Sequence, residues 1–387
     1  MSDYVSQSGD ASMVDVQAVI LAGGKGTRLR PVTVELPKPL IPVANRPLIS
    51  HQLRHLARSG VKDVALALGY NAEQFEPILD EAAELGLDLH VFTEPKPLGT
   101  GGALRWCADQ GAFDDRPLLW LNGDVVATPN LPSLLAMHSE QGALVTTWLT
   151  SVRDVSEFGV LELNEEGRVE RFLEKPSPDD TDSHLVNSGI LMLDPRVLER
   201  IPSGRMFSFE QSLLPDLVEE GAPLYGLFDG GYWMDTGRPR QYLDANRHVL
   251  EGRVDWSPKG ALSGDGIWEG DGVKRDVVGV IQPAALGDGV VIESGAQLFG
   301  RVVLGDNVVV REHAKLEDCV VFAGAEIAGD AEVFNSIVCA DARIAEHATV
   351  ERSIVGARTT VGKRNELRGT RLWNDVQLPD GVVAVDM

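Results

Sequence analysis

At 387 residues the chain exceeds one typical domain, and its 43% apolar content is ample for packed cores. A formal charge of −23 argues against nucleic acid or an anionic membrane as partner, so any phosphate site must gather its cations locally. Three cysteines (Cys107, Cys319, Cys339) without Cys-x-x-Cys spacing give neither a disulfide framework nor a zinc site and read as buried thiols. No run approaches the ~18 apolar residues that cross a bilayer. The first residues lack a basic-then-apolar signal pattern, so a reducing cytoplasm is the expected compartment.

In chain order, residues 1–14 read as a disordered tail. A buried strand follows at Gln17–Ala22 and stops abruptly at Gly23-Gly24-Lys25-Gly26-Thr27-Arg28. A second basic point, Lys38, stands between Pro37 and Pro39. The glycines let backbone N–H groups approach phosphate oxygens, Arg28 adds a bidentate fork, and Lys38 adds a point charge. The stretch is not a P-loop, because Lys25 lies between the glycines. Nor is it a dinucleotide fingerprint, because Leu29 stands where a third glycine belongs.

Further strands are predicted at Val64–Leu68, Leu89–Thr93, Leu118–Leu121 and Leu144–Leu149, with helices at Leu48–Arg58, Ala72–Leu85, Ala103–Ala108 and Leu131–Ser139. This alternation predicts an α/β, Rossmann-like domain with a mostly parallel sheet covered on both faces. Asp124 ends the third of these strands in Asn122-Gly123-Asp124-Val125. A carboxylate at the C-terminal edge of a buried strand can hold Mg2+ against phosphates, and the position also suits an Asx-type turn. A hairpin is expected from Gly159–Leu163 to Arg168–Leu173, ending in Glu174-Lys175-Pro176. Helices are expected at Phe209–Glu220 and Pro239–Leu250. Residues 253–275, rich in Gly, Asp and Trp, read as a linker or first irregular coil.

From Leu286 aliphatic residues recur every six: Ile292, Leu298, Leu304, Val310, Leu316, then Phe322. Single-residue slips precede Ile327 and the Cys339–Ile344 stretch, and Val333, Val350, Val361 and Leu367 keep the rhythm. The pattern resembles the hexapeptide repeat of left-handed parallel β-helices; at about 18 residues per coil it gives about five coils to Leu372. His313 and His347 fall on outward positions without a sequence partner and read as surface histidines. The expected division is a catalytic domain over 15–252, a linker over 253–275 and a β-helix over 276–387.

The run from Gly24 to Arg28, a spacer, then Pro37-Lys38 resembles the signature of the sugar nucleotidyltransferases, or NDP-sugar pyrophosphorylases. Other segments resemble that family in the same order along the chain. The resemblance implies that an NTP and a sugar 1-phosphate combine to an NDP-sugar and pyrophosphate. It implies that Leu21, Ala22, Gly23, Gly24, Gly26, Thr27, Gly99 and Thr100 bind the nucleotide, the last two within Glu94–Gly102. It places Arg28, Lys38, Asp124 and Lys175 in catalysis. Gly159, Glu174, Lys175 and Asn187 would meet the sugar 1-phosphate, and Asp124 and Asp235 (in Trp233-Met234-Asp235-Thr236-Gly237) would hold Mg2+.

Within the family, Leu98–Gly102, Asn122–Val125, Glu157–Val160, Phe172–Pro176 and the repeat are most similar to the mannose-1-phosphate guanylyltransferases, which implies GTP as the nucleotide. Gly101-Gly102 departs from the Ala-Gly expected there. The alternatives are glucose-1-phosphate uridylyl-, thymidylyl- or adenylyltransferase, or a silent regulatory subunit of the same fold. The presence of Arg28, Lys38, Asp124, Lys175 and Asp235 argues against silence. The β-helix implies a homo-oligomer.

Overall fold

The computed structural model describes residues 13–69, 71–177, 179–275 and 283–386. The expected disordered tail therefore lies outside the described residues, apart from Met13 and Val14, which open a 3-10 turn. Contacts divide the chain into two compact units: one joins the chain up to Gly24 with Ile49–Trp233, the other joins Lys25–Leu48 with Met234 onward.

The first unit is built on a mixed sheet. Its strands are β1 (Gln17–Leu21), β2 (Asp63–Leu68), β3 (Asp88–Thr93), β4 (Leu118–Asn122), β5 (Val145–Ser151), β6 (Gly159–Leu163), β7 (Val169–Glu174), β8 (Leu185–Leu193) and β9 (Leu224–Leu227). The order is β7-β6-β8-β4-β1-β2-β3, with β5 paired to β8 and β9. β1 is parallel to β2 and to β4, and β2 to β3. β1, β2 and β4 are buried on both faces, which is why they read as apolar runs, whereas the edge strand β3 is half-exposed.

Helices α1 (Leu48–Ser59), α2 (Glu76–Glu84), α3 (Gly99–Asp109), α4 (Leu131–Glu140) and α5 (Leu214–Glu219) lie between these strands along the chain. The sequence expectation placed the start of α3 four residues late, at Ala103. Its first turn is Gly99-Thr100-Gly101-Gly102, and a Cβ on Gly99, Gly101 or Gly102 would lie within 3 Å of the 205–207 segment or of Leu98. Close packing demands the glycines and hides the helical signal.

In the second unit, α6 (Pro239–Leu250) and the 25–48 segment accompany a parallel β-helix of three sheets. Its core holds Leu286, Ile292, Leu298, Leu304, Val310, Leu316, Ile327, Val333, Ile344, Val350, Val361 and Leu367, as the hexads predict. Two inward positions need correction. The core residues are Val321 and Val338, not their neighbours Phe322 and Cys339. The cause is a shortened corner. Gly300 and Arg301 separate Phe299 from Val302, whereas Asp318 alone separates Glu317 from Cys319, the residue at the level of Val302. The register therefore steps by 18 residues from Leu298 to Leu316 and by 17 from Leu316 to Val333. Phe322 turns its ring to Tyr242 of α6, with centroids 6.3 Å apart.

The expected linker is also corrected in part. Ile267–Glu269 and Lys274–Arg275 stack in parallel register on Ala284–Leu286 and Val291–Ile292, so this stretch already winds with the β-helix. Only Ile267 and Val273 there carry the inward pattern, too little for a repeat to be legible. His313 and His347 are exposed corner residues with φ of 60° and 59°. All three cysteines are free and buried, and burial pushes their thiols up, those of Cys107 and Cys339 to about 12.

Candidate active site

In the first unit, the carboxyl ends of the parallel strands assemble the residues expected to meet nucleotide. Leu21 closes β1, with Ala22, Gly23 and Gly24 following it. The Gly123 N–H donates to Leu21 O at 2.8 Å, which sets the next residue, half-buried Asp124, beside the start of the glycine run. Gly24 has open space where a Cβ would stand. Gly23 does not: a Cβ there would lie 3.1 Å from Glu94 Oε1.

Thr100 is held from two sides. Its hydroxyl donates to Glu210 Oε2 at 2.6 Å and accepts from the Phe209 N–H at 3.0 Å. Gly99 has φ +75°, and a Cβ would lie 2.7 Å from Phe207 O. Glu210, which holds Thr100, has no sequence signal, since a lone Glu at a helix start carries none until its partner is known.

The hairpin β6–β7 gathers a second group. A Cβ on Gly159 would meet the Phe172 ring at 2.7 Å and Glu174 Oε2 at 3.1 Å, so only glycine leaves that carboxylate accessible there. Burial pushes the Glu174 carboxyl above its usual range; Lys175 opposes the shift and Glu210 adds to it. Lys175 adopts φ +51°, and its Nζ lies 3.7 Å from Glu174 Oε1. Asn187 is half-buried, and its Oδ1 accepts from the Gly189 N–H at 3.0 Å. A Cβ on Gly189 would collide with Asn122, which explains the glycine of Asn-x-Gly. Trp233 closes this group, donating to Ser188 O at 2.8 Å and meeting Phe158 edge-on at 5.6 Å.

In the second unit two cations converge on one carboxylate. Lys38 Nζ lies 3.2 Å from Asp235 Oδ1, and Arg28 Nη2 lies 3.6 Å from Asp235 Oδ2. Lys38 is only 5% exposed, whereas the Arg28 side chain is 53% exposed. Gly26 turns the chain at φ +55°, and its carbonyl accepts from Thr33 Oγ1 at 2.7 Å, ahead of the 3-10 turn Thr27–Leu29 that carries Arg28. Gly237 lets the pair close: a Cβ there would lie 2.8 Å from both Arg28 Nη2 and Asp235 Oδ2.

Carboxylate oxygens are the hard donors that Mg2+ and similar ions take. Among the described residues no group of three or more His, Cys, Asp or Glu forms a self-contained metal cage. Isolated carboxylates of this kind suit a cation completed by water and phosphate oxygens. Among the described residues no helix is long and apolar enough to cross a membrane.

Comparison with known proteins gives the same picture. The family model for nucleotidyl transferase matches residues 17–252. A mannose-1-phosphate guanylyltransferase of Mycobacterium tuberculosis is 34% identical over 368 residues, covering 95% of this chain and 96% of its own. A solved Bacillus anthracis chain described as a glucose-1-phosphate thymidylyltransferase shares the fold, with TM-score 0.54 and 24% identity over 60% of this chain and 94% of its own. HddC of Yersinia pseudotuberculosis, solved with GMP-PN, has TM-score 0.50 and 26% identity over 59% of this chain and 97% of its own.

Proposed function

The chain belongs to the nucleotidyl transferase family, and from that premise we propose that it joins GTP to mannose 1-phosphate, giving GDP-mannose and pyrophosphate. The observation that carries the reading is the buried Lys38 ammonium held with Arg28 on Asp235. Two cations fixed beside a glycine turn have an evident use when a triphosphate must be gripped by a chain this acidic.

In the reaction a phosphate oxygen of the sugar 1-phosphate attacks the α-phosphorus in line. The bond from that phosphorus to the bridging oxygen breaks, and pyrophosphate leaves with its electron pair. Negative charge grows on the leaving group, so Arg28 and Lys38 are assigned to it, where fixed cations lower the barrier most. Leu21, Ala22, Gly23, Gly24, Gly26, Thr27, Gly99 and Thr100 are assigned to the nucleotide. Lys175 meets the phosphate of the nucleophile. Glu174 and Asn187 take sugar hydroxyls, and Gly159 leaves room for the ring. Asp124 and Asp235 are each proposed as ligands of a divalent cation, Mg2+, which when bound would neutralise phosphate charge. The three buried thiols suit a reducing cytoplasm. The β-helix is proposed to mediate self-association, which light scattering tests.

A grid of five NTPs against mannose, glucose and N-acetylglucosamine 1-phosphates, with Mg2+, is scored by pyrophosphate release. GTP with mannose 1-phosphate is expected to lead by at least about tenfold. Turnover in no combination removes the enzyme reading, and a preference for UTP or dTTP with glucose 1-phosphate removes the guanylyl assignment. Asp124→Ala is expected to lower kcat by about 100-fold or more, with its melting temperature kept. Full Mg2+-dependent turnover in that variant contradicts the metal assignment.

A further inference from the structure

Helix α1 carries a buried amide among the buried apolar residues Ile49, Leu53 and Leu56: Gln52 is only 4% exposed. Its Nε2 donates to Asn122 O at 2.9 Å and to Val125 O at 3.1 Å. Those carbonyls stand at the two ends of the turn Asn122-Gly123-Asp124-Val125, where β4 stops and the short strand Val125–Ala127 starts. One primary amide thus uses both of its hydrogens to close the turn that presents Asp124. Its oxygen, Oε1, is buried and among the described residues accepts no hydrogen bond. Turning the amide over would aim that oxygen at two carbonyls, so the carbonyls fix its orientation.

Other bonds secure the first half of the same turn. Trp120 Nε1 donates to Asn122 Oδ1 at 2.9 Å, and the Gly123 N–H donates to Leu21 O. Gln52 spans the turn from one end to the other, with Asp124 between its two acceptors. One helical turn further on, His55 Nε2 lies 3.1 Å from Pro129 O, so α1 directs two polar side chains at the chain that leaves β4. A buried acceptor without a donor works against stability, and an apolar side chain beside Ile49 and Leu53 would carry no such loss. What the amide supplies in return is the shape of the turn. Two donors aimed at the carbonyls on either side of one carboxylate are what holding that carboxylate in place requires.

We infer that Gln52 is a positioning residue for Asp124: its amide sets the width of the 122–125 turn and so where the carboxylate meets a divalent cation. The inference rests on the assignment of Asp124 to that cation above and adds the group that aims it.

The test uses the full chain, with GTP present and Mn2+ as the probe in place of Mg2+, its binding read by electron paramagnetic resonance. Gln52→Met keeps the length of the side chain and removes both donors. Gln52→Glu, protonated in so buried a place, keeps one. In Gln52→Met, Mn2+ is expected to bind about 10- to 100-fold more weakly than in wild type, with kcat falling by a similar factor and KM for mannose 1-phosphate unchanged. Added Mn2+ is expected to restore part of that kcat, and Gln52→Glu to lie between Gln52→Met and wild type. Wild-type Mn2+ affinity in a folded Gln52→Met overturns the inference, as does a loss of kcat that no concentration of Mn2+ relieves. Should Gln52→Met not fold, wild-type affinity in Gln52→Glu overturns it instead. Loss of the ion in Asp124→Ala but not in Gln52→Met removes this inference alone; unchanged affinity in Asp124→Ala removes the cation assignment and the inference with it.

Discussion

Lys38 and Arg28 hold Asp235 in different ways, and the difference decides which substitution is informative. Lys38 is buried, so its ammonium depends on the Asp235 carboxylate. Removing either partner would break a buried ion pair, at a cost of about 3–5 kcal/mol, and would confuse function with folding. Arg28 is half-exposed and can swing into water. Gly237→Ala crowds the Arg28–Asp235 contact from both sides, because the new methyl group would lie 2.8 Å from Arg28 Nη2 and from Asp235 Oδ2. The melting temperature is expected to stay within about 2 °C, and kcat/KM for the triphosphate to fall about 10- to 100-fold. Unchanged kinetics in a folded Gly237→Ala would remove the Arg28–Asp235 pair from phosphate binding. The structure joins Arg28 and Lys38 to Asp235, and Lys175 to Glu174, residues that their local motifs bring forward in the sequence. Glu210 and Gln52 were not singled out. Their meaning lies in contacts with Thr100 and with the Asn122 and Val125 carbonyls, which spacing along the chain does not reveal.

Helix α4 packs on β5 through a buried histidine, His138, whose Nδ1 lies 2.9 Å from Thr146 Oγ1. Burial lowers its pKa from the ordinary 6.5 to about 4, with Asp194 opposing. The folded value lies below the unfolded one, so the stabilisation is fully present above pH 6.5 and is lost as pH falls toward 4. The loss over that window is about 3 kcal/mol. His138→Gln is expected to flatten the fall in urea-unfolding free energy between pH 7 and pH 4.5; an identical slope in both proteins contradicts it. Among the elements, the central parallel strands and the hexads were readable because burial imposes a fixed period on them. β8 was not named, because Asn187-Ser188-Gly189 interrupts its apolar run at the point where the strand bulges. The corner at Asp318 escaped because one deleted residue moves the inward position from Phe322 to Val321, and both are apolar.

The family match ends at residue 252, yet the unit that holds Arg28 and Lys38 continues through the β-helix. Asn45 Nδ2 donates to Leu304 O at 2.8 Å, and the Lys259 N–H donates to Ala44 O at 3.1 Å. Tyr242, 1% exposed, donates to Pro42 O at 2.6 Å and packs its ring on Phe322. Arg358 forks onto Glu35 at 2.7 and 3.0 Å, and Arg371 Nη1 donates to Arg28 O at 3.4 Å. The Arg358 pair is exposed and contributes little by itself, but the Tyr242 ring packs on Phe322 and Asn45 bonds Leu304, groups that a chain ending at 252 would lack. The coils therefore serve the cations of the 25–48 segment as a scaffold. A fragment of residues 1–252 is expected to lose more than about tenfold in kcat/KM, through misplaced phosphate ligands, and to aggregate through the uncovered Tyr242 face. Turnover and light scattering of the purified fragment measure both. A monomeric 1–252 fragment with full turnover would show that the 25–48 segment holds its cations without the coils.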